Sequence, residues 1–212
     1  MLTYQHDFIE YALKCGVLKF GEFELKSGRI SPYFFNTGLF NTGAQLQKLG
    51  EFYAKTLIDS GITIDVFYGP AYKGIPLAVA TASAYAALTG HDMPFTFNRK
   101  EAKDHGEGGL LVGAPLNGRV LIIDDVITAG TSVRESVDII RNAHATPTAV
   151  LIALDRQEKG QNDCSAIQDV SEQFGLPVVA IITLAHIIQY LQKIGDTSQL
   201  AAIQAYQNQY GI

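Results

Sequence analysis

A chain of 212 residues with 47% apolar and only 17% charged residues is long enough for one substantial core, and its low charge points to extensive burial, part of it at a subunit interface. The formal net charge of -5, from 16 Lys and Arg against 21 Asp and Glu, repels polyanions on average; it excludes broad binding to nucleic acid or anionic membranes and leaves any anion site to be local. No apolar run approaches a membrane span and the first residues lack the pattern of a secretory signal, so a cytoplasmic location is expected.

Phe8, Ile9, Ala12 and Leu13 share one helical face, and Gly16 follows as a stop, which predicts a short amphipathic helix. Strands are expected at 20–25 and 33–36 around the turn Lys26-Ser27-Gly28-Arg29, making a small N-terminal subdomain. Leu46, Leu49, Tyr53 and Leu57 mark a helix that ends before Gly61. From Asp65 the pattern becomes strand (66–68), apolar helix after Gly74, and strand (95–97). The runs 120–123, 149–154 and 178–182 are apolar without alternation, as in central strands covered on both faces. Val133, Val137 and Ile140 mark a further helix, and Leu200, Ile203, Tyr206 and Tyr210 the closing one. The expected fold class is therefore α/β, with a doubly wound, mainly parallel central sheet. Cys15 and Cys164 fall in separate predicted helices without metal-ligand spacing and are read as reduced structural thiols. His6, His91, His144 and His186 are each isolated in a predicted helix or terminus and are assigned surface or packing roles.

One stretch falls outside this scheme. Residues 99–109, reading Arg-Lys-Glu-Ala-Lys-Asp-His-Gly-Glu-Gly-Gly, are charged, glycine-rich and nearly free of apolar anchors, so they are expected to be mobile.

The sharpest signal is 120–132, where Val-Leu-Ile-Ile-Asp-Asp-Val-Ile-Thr-Ala-Gly-Thr-Ser runs a buried strand into two carboxylates and a small-residue turn that opens a helix. Free N–H groups at such a turn cradle an anion, and Thr128, Thr131 and Ser132 can add hydroxyl donors. Asp124 and Asp125 beside a phosphate require hydrogen-bond donors, and the vicinal hydroxyls of a ribose supply two; phosphate plus diol reads as a ribose 5-phosphate. The plainer alternative is a strand end followed by a Ser or Thr helix cap. Neither Gly-x-Gly-x-x-Gly nor Gly-x-x-x-x-Gly-Lys-Ser/Thr occurs, which removes dinucleotide-dehydrogenase and P-loop readings. Phe34 and Phe35, adjacent in a strand, must face opposite ways. Arg156, just past a strand, offers a guanidinium fork either to a carboxylate-bearing ligand or to a surface ion pair.

The acidic pair followed by Thr128-Ala129-Gly130-Thr131 resembles the signature of phosphoribosyltransferases that use phosphoribosyl pyrophosphate. Segments 26–35 (Lys-Ser-Gly-Arg-Ile-Ser-Pro-Tyr-Phe-Phe), 69–75 (Gly-Pro-Ala-Tyr-Lys-Gly-Ile), 97–106 (Phe-Asn-Arg-Lys-Glu-Ala-Lys-Asp-His-Gly) and 154–156 (Leu-Asp-Arg) extend the resemblance, over essentially the whole chain, to the bacterial orotate phosphoribosyltransferases.

The resemblance implies a type I phosphoribosyltransferase fold, with residues 1–40 contributing to a hood, 41–190 forming the core with its lid at 99–109, and 191–212 a C-terminal helix. It implies transfer of a phosphoribosyl group to orotate in UMP biosynthesis. Sugar-phosphate contacts then fall to Asp124, Asp125, Val126, Ile127, Thr128, Ala129, Gly130, Thr131 and Ser132, with Lys26, Tyr72, Lys73, Arg99, Lys100, Lys103 and His105 around the pyrophosphate. Arg99, Lys103 and His105 carry the catalytic role on the lid, while Phe34, Phe35, Thr128 and Arg156 face orotate. Lys26, Lys100 and Lys103 are given to a partner chain, so a homodimer with shared sites is implied, with Mg2+ held mainly by substrate oxygens and water and no protein metal ligand. The rival readings are a phosphoribosyltransferase for another base, which Phe34, Phe35 and Arg156 argue against, and a phosphoribosyl-pyrophosphate sensor, for which this acidic chain lacks a nucleic-acid surface.

Overall fold

The computed structural model describes residues 1–25, 27–103, 109–128, 130–160 and 164–212, with Ala102 and Lys103 described by backbone alone. In chain order the elements are α1 (Thr3–Lys14), β1 (Leu18–Glu24), β2 (Ile30–Phe35), a 3-10 turn at Thr37–Leu39, α2 (Gly43–Ser60), β3 (Val66–Gly69), α3 (Gly74–Thr89), β4 (Phe95–Lys103), β5 (Gly109–Gly113), β6 (Arg119–Ile123), α4 (Thr131–Asn142), β7 (Thr146–Asp155), α5 (Ala166–Phe174), β8 (Val178–Thr183), α6 (Leu184–Ile194) and α7 (Thr197–Tyr210).

Six strands form the central sheet in the order β5-β4-β3-β6-β7-β8. All neighbours are parallel except β4 and β5. The apolar strands alternate between two cores. Phe67, Leu121, Ile123, Leu151 and Ala153 join side chains of α1, α2, α3 and α6 on one face. Val66, Tyr68, Val120, Ile122, Val150 and Ile152 join those of α4 and α5 on the other. Burial on both faces is what removes the polar alternation from these strands. From β3 the chain crosses through α3 to β4 on one side, and from β6 through α4 to β7 on the other. Between the C-terminal ends of β3 and β6 the connections diverge and leave a crevice.

The β1–β2 hairpin is a separate two-stranded sheet with a bulge between Phe20 and Phe23. It is held from two directions. Gln5 of α1 donates from Nε2 to the Ile181 carbonyl of β8 at 3.1 Å, fixing the N-terminal helix to the sheet, and α7 packs against β2. Among the described residues no helix is long and apolar enough to cross a membrane.

Four expectations are corrected. The stretch 99–109 was set apart from the strands, yet β4 runs to Lys103 and β5 starts at Gly109, so its two ends belong to an antiparallel hairpin on the sheet edge; residues 104–108 lie outside the described residues. Residues 191–212 are not one helix. Gly195 adopts φ 75 and ends α6, and Asp196 accepts from the Gln199 amide to start α7. Cys164 precedes α5 instead of lying in it, and Cys15 is the C-terminal cap of α1; both thiols are free. His91 and His144 lie outside helices, and His144 has φ 61.

Helices α2 and α3 approach closely because Gly50 presents no side chain: a Cβ there would meet the carbonyl of Ala80. A Gly50→Val variant should therefore lose about 1–3 kcal/mol of stability through overpacking. Urea unfolding would measure it, and an unchanged midpoint would mean the two helices separate freely there.

Candidate active site

The crevice is built on backbone that the sheet still holds. Asp124 donates its amide to the Leu151 carbonyl at 3.1 Å, and the Asp125 carbonyl accepts from Ala153 at 2.9 Å, so the acidic pair continues the β6–β7 ladder. From below, the buried Tyr53 hydroxyl donates to the Asp124 carbonyl at 2.8 Å. The two carboxyl groups are 8% and 7% exposed by residue. Asp124 Oδ1 accepts from the Asp125 amide, and Asp125 Oδ1 from the Val126 amide, each at 2.9 Å. Burial pushes the Asp124 carboxyl up to about 6; the charge of Asp125 adds to this, while the Asp125 amide and the Ser132 hydroxyl oppose it.

Asp125 Oδ2 is the junction of the site. It accepts from Lys73 Nζ at 2.7 Å and from Thr37 Oγ1 at 3.0 Å. Lys73 lies in the loop between β3 and α3, which turns so tightly that a Cβ on Gly74 would come within 2.8 Å of the Ile123 carbonyl. Asn98 of β4 accepts from the Ala71 amide at 2.9 Å and pins that loop from the other side. The Ala71–Tyr72 peptide is cis, and Tyr72 stands 72% exposed.

At the start of α4 the residue before the helix is Gly130, with φ 69 and no side-chain cap. The plain alternative of a Ser or Thr cap is thereby set aside, and among the described residues no side chain caps the first-turn N–H groups of Thr131, Ser132 and Val133, which can serve another acceptor. Thr128 and Thr131 are exposed, Ser132, Val126 and Ile127 half-buried. Ala129 lies outside the described residues.

On the hood side, β2 is stitched to the ends of β6 and β7 by side chains. Thr37 reaches Asp125; Ser31 Oγ accepts from Arg156 Nη2 at 3.1 Å; and the Tyr33 hydroxyl donates to Glu158 Oε1 at 3.2 Å. Arg156 lies with its guanidinium 4.4 Å from the Tyr33 ring centre and pairs through Nε and Nη2 with Glu158. It is a half-buried pair, not a surface one. Phe35 packs on the first core beside Phe8, and Phe34 sets its ring 5.4 Å from Phe23.

Of the cations expected around the pyrophosphate, some fall within the described residues. Arg99 donates through Nη1 to the Gly109 carbonyl at 3.0 Å. Lys100 Nζ lies 3.8 Å from Glu135 of α4 in its own chain. Lys103 ends β4, while its side chain, Lys26 and His105 lie outside the described residues. Among the described residues, the group of side chains spaced to hold a metal is His6, Asp7 and Glu10 on α1, not the crevice.

Thr37, Tyr53, Ser31, Asn98 and Glu158 carry no signal as site residues in the sequence. The bonds that tie them to the crevice and to Arg156 join Thr37 to Asp125, Tyr53 to Asp124, Asn98 to Ala71, Ser31 to Arg156 and Glu158 to Tyr33, partners 27 to 125 residues away.

The phosphoribosyl transferase domain model matches residues 39–176. An orotate phosphoribosyltransferase from Methylococcus capsulatus is 63% identical over 211 residues, covering 100% of this chain and 99% of that protein. The chain belongs to the orotate phosphoribosyltransferase family. A Pseudomonas aeruginosa member is 60% identical over 213 residues, with 100% of both chains covered. The crystal structure of the Francisella tularensis member superimposes with a TM-score of 0.90 at 46% identity, covering 97% of this chain and 100% of that one. The crevice described above is thus the candidate active site of a family member.

The elevated Asp124 group yields a sign for stability. Folding holds its proton to higher pH than the unfolded chain does, so ionisation between about pH 4 and pH 6 weakens the fold. Asp124→Asn should raise Tm at pH 7.5 by on the order of 5 °C and leave it unchanged at pH 4. Equal effects at the two pH values, followed by calorimetry, would contradict this.

Proposed function

We propose that the protein transfers the phosphoribosyl group of 5-phosphoribosyl 1-pyrophosphate to orotate, giving orotidine 5'-monophosphate and pyrophosphate in UMP biosynthesis. The observation that carries this reading is the uncapped N-terminus of α4 beside the buried Asp124–Asp125 pair at the β3/β6 divergence. Identities of 58–63% to full-length orotate phosphoribosyltransferases support the choice of base.

The 5-phosphate takes the free amides of α4 and the hydroxyls of Thr128, Thr131 and Ser132, with Val126, Ile127, Ala129 and Gly130 shaping the turn. Asp124 and Asp125 accept from the ribose diol and stabilise positive charge as the C1 bond to pyrophosphate opens. Lys73 moves its ammonium from Asp125 to the pyrophosphate, with Tyr72 alongside. Lys26, Arg99, Lys100, Lys103 and His105 neutralise the leaving group as the lid closes and excludes water. Phe34, Phe35, Thr128 and Arg156 hold orotate.

The donor set fits an ion held through the substrate. Asp125 Oδ2 is already engaged by Lys73 and Thr37, and a hydrated Mg2+ needs only a few outer contacts from protein carboxylates. When bound, Mg2+ supplies further neutralisation of pyrophosphate charge. A homodimer with shared sites, in the cytoplasm, completes the reading. The dimer's support is the pair of exposed apolar side chains on α3, Val79 and Leu88.

The deciding assay follows pyrophosphate release with phosphoribosyl pyrophosphate and Mg2+ in the presence of orotate, uracil, hypoxanthine or adenine. Turnover with orotate alone is expected, and turnover with another base instead would retain the sugar site but overturn the base assignment. Lys103→Ala should lower kcat by about 100-fold or more while leaving phosphoribosyl pyrophosphate affinity largely intact. The double variant Asp124→Asn, Asp125→Asn should bind the sugar substrate at least ~10-fold more weakly by titration calorimetry.

A further inference from the structure

We infer that Glu158 is a positioning residue, which fixes the guanidinium of Arg156 toward a carboxylate-bearing base and is itself held by backbone pairing to residues 210–212. The inference rests on the reading of Arg156 as an orotate contact. Glu158 Oε1 collects three donors: Arg156 Nε at 2.8 Å, Arg156 Nη2 at 2.7 Å and the Tyr33 hydroxyl at 3.2 Å. Ser31 Oγ accepts a further Nη2 bond at 3.1 Å, and the Tyr33 ring covers one face of the guanidinium. None of these bonds uses Nη1. The Nε/Nη2 edge is committed to protein and Tyr206 is a further neighbour of the guanidinium, so the remaining Nη1 side of the planar fork falls to a ligand.

A long, flexible arginine side chain loses rotamer freedom when it is fixed. With Glu158 in place that loss is incurred on folding and not when the base binds, which is the physical content of preorganisation. The segment after β7 that carries Glu158 is built to stay put. Gln157 adopts φ 51, a left-handed conformation unusual for a non-glycine residue. Its amide donates to Asp155 Oδ1 at 2.8 Å, and its side-chain oxygen accepts from the Ala185 amide at 2.9 Å. Glu158 forms an antiparallel bridge with Gly211; Lys159 donates to the Tyr210 carbonyl at 2.8 Å, and Ile212 to the Gln157 carbonyl at 3.2 Å. Arg29 closes the assembly from the turn before β2, donating to the Lys159 carbonyl at 2.9 Å and lying over the Tyr210 ring. Strained backbone locked from several directions beside a ligand-facing group is a mark of functional positioning.

The test is steady-state kinetics with both substrates varied. Glu158→Ala should raise KM for orotate about 10-fold while kcat and KM for phosphoribosyl pyrophosphate change less than about 3-fold; Glu158→Gln, which keeps an acceptor oxygen, should restore most of the affinity. In an Arg156→Ala background, Glu158→Ala should add less than about 2-fold, since the two act as a unit. A second variant leaves every side chain of the pocket in place. A Cβ on Gly211 would come within 2.5 Å of the Gln207 carbonyl, so Gly211→Ala should displace the pairing segment and raise KM for orotate about 3-fold.

Parallel losses for both substrates that track Tm, or an undiminished Glu158→Ala effect without Arg156, would reduce Glu158 to scaffolding and overturn the inference. So would an unchanged orotate KM in Gly211→Ala if Glu158→Ala does not fold. Arg156→Ala with normal orotate KM would instead sink the reading of Arg156 itself, a separate result.

Discussion

The shared hydrogen bonding at Asp125 Oδ2 is the constraint on which the rest of the site depends. Lys73 arrives from the end of β3, Thr37 from the end of β2, and Asp125 itself from the end of β6. Three chain segments that never neighbour one another in sequence thus converge on one oxygen. A buried carboxylate carrying a charge has to be paired and hydrogen-bonded, and this requirement draws the hood onto the sheet. The hairpin of β1 and β2 makes no ladder with the central sheet. Its placement rests instead on Thr37, Ser31 and Tyr33 reaching the loops after β6 and β7, with α1 and α7 behind it. The groups assigned to the sugar and those assigned to the base are therefore mechanically one unit.

Asp124 and Asp125 occupy nearly equal burial but differ in their partners. Asp125 has a cation and a hydroxyl on one oxygen, whereas Asp124 has an amide and the Ser132 hydroxyl, and burial with the neighbouring charge drives its proton affinity up. The pair thus divides into one carboxylate neutralised by protein and one left with spare capacity to accept. That division suits a diol, whose two donors relieve the cost of holding Asp124 ionised. The same burial that weakens the fold at neutral pH is what makes the group responsive to a ligand with hydroxyl donors.

The parts of this molecule legible in its sequence are those set by short-range pattern. The strands at 120–123 and 149–154 could be read because burial on two faces leaves an unbroken apolar run, and α2 because its apolar period ends at a left-handed glycine. The motif 124–132 could be read because the chemistry is contiguous. What escaped was set by distance or disguise. Helix α6 follows β8 without a polar gap, and its start is a capping box whose third residue is His186, not the acidic or amide residue that usually marks one. The helix expected around Cys164 starts later, because Ser165 and Gln168 form an ordinary capping box that opens α5 at Ala166. The charged part of β4 resembled a loop because an edge hairpin exposes much of its length to solvent. Glu158 carried no signal, because Tyr33 and Gly211 lie far from it in sequence.

The cations proposed to meet substrate are held on carboxylates of the protein, and their exposure separates them into two kinds. Lys73 and Lys100 have side chains 59% and 48% exposed, paired with Asp125 and Glu135. The Lys100–Glu135 pair, exposed on both sides, contributes at most about 1 kcal/mol, so a polyanion can draw that ammonium away at small cost; Lys73 leaves a buried Asp125 carboxylate, and its ammonium can follow a polyanion because Thr37 and the ribose diol keep donors on that group. Arg156 and Glu158 are only 21% and 13% exposed, stacked on Tyr33 and bonded to Ser31. Breaking such a pair strands a desolvated charge, which costs several kcal/mol, so this guanidinium stays where Glu158 puts it. The two substrates call for opposite behaviour. Pyrophosphate leaves in the reaction, and cations that shift between carboxylate and leaving group can follow it; the base must be held in line while the C1 bond opens, and a fixed fork serves that better than a mobile one. In a chain whose net charge is -5, both kinds of cation depend on local carboxylates, and the degree of burial of each pair decides which of them can move.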